Sequence, residues 1–257
     1  MFENALKKIS QVEGEFSFIV KNLRTGETFK HNEDMVFPSA SIIKVPILVA
    51  VFDEVESGRQ NFDLVVEAKE EDMVGGAGVV QYLGKLPYTL LDHAILMTIL
   101  SDNTSTNKII DVLGLELIAK KIADIGLKNT VLARKLMLPE ALRKGKDNLI
   151  SGQDILTLFE YIHNNSEKYQ HMLKILKQQM LNDLLPALTG FTYDFAHKTG
   201  MLSDVRHDVG IMYLDDPIFV SYLSKNLTGG GLDSVRLANE LGVLVVDAFK
   251  SGKTHEK

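Results

Sequence analysis

Apolar and polar positions alternate differently at the ends of the chain and in its middle. Residues 3–12 carry apolar positions at helical spacing and predict a short amphipathic helix. Phe16 to Lys21 and Glu27 to Lys30 read as two strands joined by a turn at Arg24-Thr-Gly-Glu27. A helix is expected from about Ser41 to Ser57, ended by Gly58. Helical periodicity returns over roughly 89–101, 104–113, 115–125, 151–163, 167–181 and 232–250. Three strand-like stretches precede the last of these: Phe195 to Thr199, Val209 to Leu214 and Ile218 to Leu223. Asp215-Asp-Pro217 separates the final pair, and Gly229-Gly-Gly231 reads as a turn before the last helix. Strands at both ends and helices between them predict an α/β (α+β) fold, with an antiparallel sheet from both termini flanked by helices and an all-helical insertion lobe. The expected division is 1–40 with 185–257 as the sheet lobe and its terminal helices, and 41–184 as the helical lobe, together one domain. A cleft between two such lobes is a usual place for a ligand site.

Composition narrows the function classes. A net charge of −6 with no basic cluster argues against nucleic acid or an anionic membrane as the partner. Apolar residues make up 45% and charged residues 24% of the 257 positions, as in an ordinary globular protein. With no cysteine, disulfides, thiolate catalysis and sulfur-ligated metals are excluded. No metal or other cofactor is expected, because the seven histidines show no His-x-x-x-His spacing. No run reaches the ~20 apolar residues of a membrane span. The start, Met1-Phe-Glu-Asn-Ala-Leu-Lys-Lys, lacks the apolar stretch of a secretory signal. The expectation is a cytoplasmic protein if the chain is full length, or a secreted or periplasmic one if a signal was removed.

Three clusters carry candidate chemistry. Ile42-Ile43-Lys44-Val45-Pro46-Ile47-Leu48-Val49-Ala50-Val51-Phe52 is apolar nearly all round and marks a buried helix. A lysine there must find a partner, reach solvent or lose its proton, and burial can depress its pKa by up to ~3–5 units. Ser41 stands three positions earlier, on the same helical face, as a nucleophile beside a candidate base. It also lies in the first turn, where unpaired N–H groups favour a developing oxyanion. The competing reading has Ser41 or Ser39 capping the helix and Lys44 reaching water. Pro46 is read as a bend within this helix. Ser105-Thr-Asn-Lys108 repeats the spacing without apolar surroundings and reads as a helix start with a solvated face. The second cluster, Ser101-Asp102-Asn103-Thr104-Ser105-Thr106-Asn107, is either a capping turn or a rigid mount for a hydroxyl and an amide. The third, Lys198-Thr199-Gly200-Met201, can present a cation and a hydroxyl along a strand edge, with Gly200 leaving room for a ligand; alternatively it is a polar strand end.

Together Ser41-Ile-Ile-Lys44, Ser101-Asp-Asn103 and Lys198-Thr-Gly200 resemble the S-x-x-K, S-D-N and K-T-G elements of class A β-lactamases and penicillin-binding proteins, in the family's order and settings. The resemblance spans nearly the whole chain, including Thr89-Leu-Leu-Asp-His-Ala94 and Val205-Arg-His-Asp-Val-Gly210. It implies that Ser41 attacks the acyl carbon, Lys44 takes or relays its proton, and Ser101 passes a proton to the leaving nitrogen. It also implies that Asn103 binds the substrate's amide side chain and that Lys198 and Thr199, beside Gly200, meet its carboxylate. The oxyanion hole would come from the N–H groups of Ser41 and Met201. One departure matters. The class A Glu-x-x-x-Asn motif has no counterpart in Arg134-Lys-Leu-Met-Leu-Pro-Glu140-Ala-Leu-Arg-Lys-Gly-Lys-Asp147, where Glu140 is the loop's only glutamate and position 144 is Lys. Glu140 is the candidate base for deacylation, or a solvated residue beside Arg143.

The resemblance therefore implies a monomeric serine hydrolase of class A β-lactamase type, which hydrolyses the β-lactam amide through an acyl-enzyme at Ser41 and whose partner is a small β-lactam or peptide-like acyl donor. The alternatives are a D,D-peptidase or esterase with slow deacylation, and a non-catalytic covalent β-lactam sensor. Other signals carry less. Ser251-Gly-Lys-Thr254 lacks the first glycine of a phosphate loop, since position 247 is Asp. His197 reads as a strand residue facing away from Lys198, and Lys168, Lys174 and Lys177 as a solvated helix face.

Overall fold

The computed structural model describes residues 2–83 and 87–250; Ser251-Gly-Lys-Thr254 lies outside the described residues. Helix α1 (Glu3–Ile9) leads into β1 (Glu15–Asn22), β2 (Thr28–His31) and β3 (Val36–Pro38). A 3-10 turn over Ala40–Ile43 then opens α2 (Lys44–Glu56). The middle of the chain runs through β4 (Val65–Glu67), α3 (Val80–Leu83), β5 (Pro87–Thr89), α4 (Leu90–Ile99), α5 (Asn103–Leu113) and α6 (Leu115–Ile125). It continues through α7 (Pro139–Arg143), β6 (Leu149–Ser151), α8 (Gly152–Asn164) and α9 (Gln170–Lys177). Strands β7 (Asp194–Leu202), β8 (Val205–Tyr213) and β9 (Pro217–Lys225) and helix α10 (Leu232–Phe249) complete it.

The main sheet has the order β2-β1-β9-β8-β7, with every pair antiparallel, so strands from both ends of the chain share one sheet. Its strands β1, β9 and β8 are buried on both faces, whereas the edge strand β2 has no buried residue. In β1, Phe18 and Val20 face a core shared with α1 and α10, while Ile19 between them faces the core of the helical region. In β8 and β9, Met212, Val220 and Tyr222 join the first core, and Val209, Ile211 and Phe219 the second. Burial on both faces explains why these strands read as continuous apolar runs instead of alternating ones. Strand β7 is the sheet's other edge, and its neighbour in space is the 3-10 turn that carries Ser41.

The helix starts follow capping chemistry visible in the sequence. Thr89 and Asp92 form a reciprocal capping box on α4, Asp102 caps α5 through the Ser105 N–H at 2.8 Å, and Ser151 caps α8 through the Asp154 N–H at 3.2 Å. Three sequence readings are corrected. Pro46 is not a mid-helix bend: the α-helix begins only at Lys44, so Pro46 falls in its first turn, where a missing N–H leaves no intrahelical bond unmade. Lys108 is not solvated; it donates to Asp72 at 2.8 Å, and Ser105 is buried against His93 Nδ1 at 3.0 Å. Lys168 is not a free surface cation either, because it pairs with the buried Asp53 at 2.6 Å, as does Lys121. Strands β3 to β6 have three residues each, too short for their period to show in the pattern. No helix among the described residues is long and apolar enough to cross a membrane.

Candidate active site

Ser41 ends up beside Lys44 because the tight turn over Ala40–Ile43 runs directly into α2. The Lys44 amine is 1% exposed and has four oxygens in reach: Ser41 Oγ at 3.0 Å, Ser101 Oγ at 3.1 Å, the Ser101 carbonyl at 2.7 Å and Asn103 Oδ1 at 2.9 Å. Two of these can only accept. The Asn103 orientation is fixed, because its Nδ2 donates to the Gly75 carbonyl at 3.0 Å and so turns Oδ1 toward Lys44. A neutral amine spends its two N–H groups on the Ser101 carbonyl and Asn103 Oδ1, and its lone pair then faces two hydroxyls. Burial holds the amine well below the usual lysine range, the neighbouring Lys198 cation pushes it the same way, and Asp102 opposes both.

The turn that supplies Ser101 and Asn103 is held by Asp102. Its Oδ2 accepts from the Val79 and Val80 N–H groups at 2.6 and 2.9 Å, and its Oδ1 caps α5. Gly78 is required there, since a Cβ on it would stand 2.1 Å from Asp102 Oδ2. Ser101 itself adopts φ 55°, outside the preferred region for a serine, as does Ala40 beside Ser41 at φ 45°. Non-glycine residues in this region store strain and persist only where their surroundings fix them.

From the other side, β7 closes the site. Lys198 is fully buried, donates to the Thr199 carbonyl at 2.9 Å, and is pushed down to about 7 by burial, with Asp208 opposing. Gly200 abuts the turn that carries Ser41: a Cβ there would lie 3.1 Å from Ala40 Cβ and 3.3 Å from the Ser41 nitrogen. The side chain of His207, the cross-strand partner of Gly200, ties the sheet to this turn. Its Nδ1 accepts from the Ser224 N–H at 3.1 Å, so Nε2 carries the hydrogen and donates to the Pro38 carbonyl at 2.9 Å. Burial holds this imidazole down to about 4.

A cleft of about 440 Å³ opens over these groups, lined by Ser41, Ser101, Asn103, Thr199 and Met201 among others. Six of the sequence-selected residues (Ser41, Lys44, Ser101, Asn103, Lys198 and Thr199) thus converge, with Gly200 and Met201 at the strand edge beside them. Glu140 does not join them. It stands on α7 with its carboxylate 82% exposed and 3.9 Å from Arg143. The loop wall of the cleft is formed by Arg134, Leu136, Met137, Asp147 and Asn148. Sequence reasoning missed this set. Arg134 pairs with Asp147 at 2.7 Å, and Asn107 clasps the Leu136 backbone from both sides, through Leu136 N–H at 2.8 Å and its carbonyl at 3.1 Å. Asn148 holds the N–H groups of Ala133 and Arg134 in the same manner, at 2.9 and 3.1 Å. Asn148, a polar residue bounding the loop, was the available local signal; Asn107 stands on α5, twenty-nine positions before Leu136. His197, set aside earlier, is buried between Asp208 at 2.7 Å and Asn182 at 3.0 Å.

Comparison with solved structures agrees with this architecture. A β-lactamase from Sphaerobacter thermophilus DSM 20745 is 25% identical over 96% of this chain and 97% of its own, with a TM-score of 0.88. A variant of PBP-A, captured as its acyl-enzyme complex with penicillin G, is 29% identical over 96% of this chain and 94% of its own, with a TM-score of 0.86. A β-lactamase from Chitinophaga pinensis DSM 2588, at 19% identity and a TM-score of 0.89 over 96% of this chain and 98% of its own, shares the fold. No curated protein matches the chain. The family model for the β-lactamase enzyme family matches residues 1–249, and the chain belongs to that family.

Proposed function

We propose that this protein is a serine hydrolase that opens β-lactams by acylation of Ser41 and releases the acyl group slowly. The observation that carries the reading is the Lys44 amine, whose two N–H groups have obligatory acceptors and whose lone pair is left to the hydroxyls of Ser41 and Ser101. Ser41 Oγ attacks the β-lactam carbonyl carbon and passes its proton to Lys44. The new O–C bond forms a tetrahedral oxyanion, which the N–H groups of Ser41 and Met201 stabilise at the junction of the nucleophile turn and β7. Collapse breaks the C–N bond, and the proton moves from Lys44 through the Ser101 hydroxyl to the leaving nitrogen. Lys198 and Thr199 hold the substrate carboxylate, and Asn103 the amide of the acyl side chain. Release requires a water with a base beside it. Among the described residues lining the cleft, Asp147 is the one carboxylate, and it is tied to Arg134. That favours the penicillin-binding type of behaviour, with an acyl-enzyme that persists, over rapid β-lactamase turnover. The likeness to the PBP-A variant held as a penicillin G acyl-enzyme supports the same reading.

The test is intact-mass spectrometry during incubation with benzylpenicillin. A one-to-one adduct on Ser41 that forms quickly and decays slowly is expected, and none in Ser41→Ala. An adduct that persists in Ser41→Ala would sink the assignment. Rapid turnover with no accumulated adduct would refute slow release and restore efficient hydrolysis.

A further inference from the structure

The floor of the cleft is polar, but its upper walls are not. Leu136 and Met137 come from the loop, Met201 and Leu202 from the end of β7, and Leu181 from the segment after α9. Four of these five stay substantially exposed: Met137 at 48%, Leu181 at 38%, Met201 at 68% and Leu202 at 44%. Exposed apolar side chains gathered around one concavity mark a ligand-facing surface, unlike apolar residues scattered singly. The two ends of the cleft are distinguishable. Met137, at φ 59°, roofs the Asn103 end: a Cβ on Gly76 would lie 2.8 Å from Asn103 Nδ2 and 3.3 Å from Met137 Sδ. Leu181 lies toward Ser101, since the Met180 N–H donates to the Ile99 carbonyl at 3.1 Å and Gln179 Nε2 to the Thr98 carbonyl at 3.0 Å.

Charge is rationed in the same space. Arg134 is neutralised by Asp147. The Arg206 guanidinium, close to the end of β7, donates to the carbonyls of Leu202, Val205 and Gly230. Lys44 is enclosed by its four oxygens. Among the described residues lining the cleft Arg134 is the one cation, and Lys198 is fully buried behind Thr199, bonded to its carbonyl. A second charge on the ligand, carried at the Asn103 end, would lie against Met137 with no free partner among the described residues lining the cleft, which is costly.

We infer that the cleft discriminates among acyl donors by the charge of the acyl side chain, taking a bulky, uncharged apolar group in preference to one that carries an ammonium or a second carboxylate, with Met137 as the specificity-determining residue. This rests on the acyl-enzyme reading above. An aryl or branched alkyl acyl group fits the walls; an acyl side chain bearing an ammonium or a second carboxylate does not. Three penicillins with the same fused ring, amide and phenyl group test it: benzylpenicillin, ampicillin with an added α-amine, and carbenicillin with an added α-carboxylate. The second-order rate of Ser41 acylation, read by intact mass on the unmodified protein, should be about tenfold or more higher for benzylpenicillin than for either charged analogue. Met137→Lys should then narrow the gap for carbenicillin and widen it for ampicillin, and Met137→Glu should do the reverse. Rates within twofold across the three penicillins overturn the inference while acylation itself stands. So does a charge reversal at position 137 that leaves their ratios unchanged in a folded variant. If none of the three labels Ser41, the acyl-enzyme reading falls and this one falls with it.

Discussion

The two walls of the cleft are built on opposite principles. On one side Lys44, Ser101 and Lys198 are buried and Ser41 is half-buried above them, and hydrogen bonds hold the group together. On the loop side, Asn107 and Asn148 fix the backbone, Leu136 and Met137 carry no proton-transfer group, and the one carboxylate of the wall, Asp147, is paired with Arg134. The difference teaches that making and releasing an acyl-enzyme are separable demands. Making it needs an amine stripped of its charge by burial. Releasing it needs an activated water, and on the proposed reading the loop frame supplies a mount without a free base.

The sharpest way to break this comparison is at Lys44. Lys44→Ala removes a buried amine together with its methylene stem, so its thermal melt is checked first and the rate is read on the folded variant. It should lower the acylation rate by roughly 10²–10⁴-fold, the usual range for a positioned base. Stopped-flow acylation with a chromogenic cephalosporin measures it, and a rate near that of the parent would place the base elsewhere. The pH dependence sharpens the same side. With rising pH, Lys44 loses its proton at a value well below that of an ordinary lysine and gains the lone pair that acylation requires. Above about 7, Lys198 loses its proton in turn and no longer attracts the substrate carboxylate. The specificity constant should therefore fall on the alkaline side by up to about tenfold per pH unit in the free enzyme. Because the two amines interact, the limbs belong to the pair. Lys198→Arg should move the alkaline limb upward, since a guanidinium stays charged; an unmoved limb would show that another group titrates there.

How much of this could be read from the sequence depends on how local the signal was. Lys44 announced itself because a charge in an otherwise apolar helix is anomalous in its own neighbourhood. The strands at both termini and the helices between them gave the fold class for the same reason. Asp102 was visible as a capping residue and as the middle of the S-D-N element, but its bonds to Val79 and Val80 depend on a loop more than twenty positions away. His207 left no local mark at all, since its partners Pro38 and Ser224 come from distant segments that meet only when the sheet forms. The strained φ values at Ala40, Ser101 and Met137 leave no trace in composition either. The loop was the least legible part. Its glutamate looked chemically suitable, but nothing local told which loop positions face inward. That is decided by the clasp between Asn107 and Leu136, twenty-nine residues apart in sequence.

The loop wall itself can be tested at two positions with opposite expectations. Leu136 lines the cleft on a backbone held at both N–H and carbonyl, so a carboxylate placed there inherits a fixed mount. Leu136→Glu should speed decay of the benzylpenicillin adduct by about tenfold, short of the full 10²–10⁴ of an optimised base, because the surrounding groups are not arranged to orient the water. Decay as slow as in the parent would mean that something other than a missing base limits release.

Glu140 should give the smallest effect of all. It is the loop's only glutamate, but it projects from α7 into solvent, and its one close ionic neighbour, Arg143, is itself largely exposed. A carboxylate in that setting has no route to a water over Ser41, and its pairing with Arg143 across solvent contributes little. Glu140→Gln should change acylation and deacylation by less than about twofold, the scatter expected of a surface substitution within ±0.5 kcal/mol. Single-turnover acylation and adduct decay, measured on the same preparation, separate the two steps. A decay rate that drops while acylation is unchanged would mean that α7 swings inward once the acyl group is bound, and that the loop wall contains its base after all.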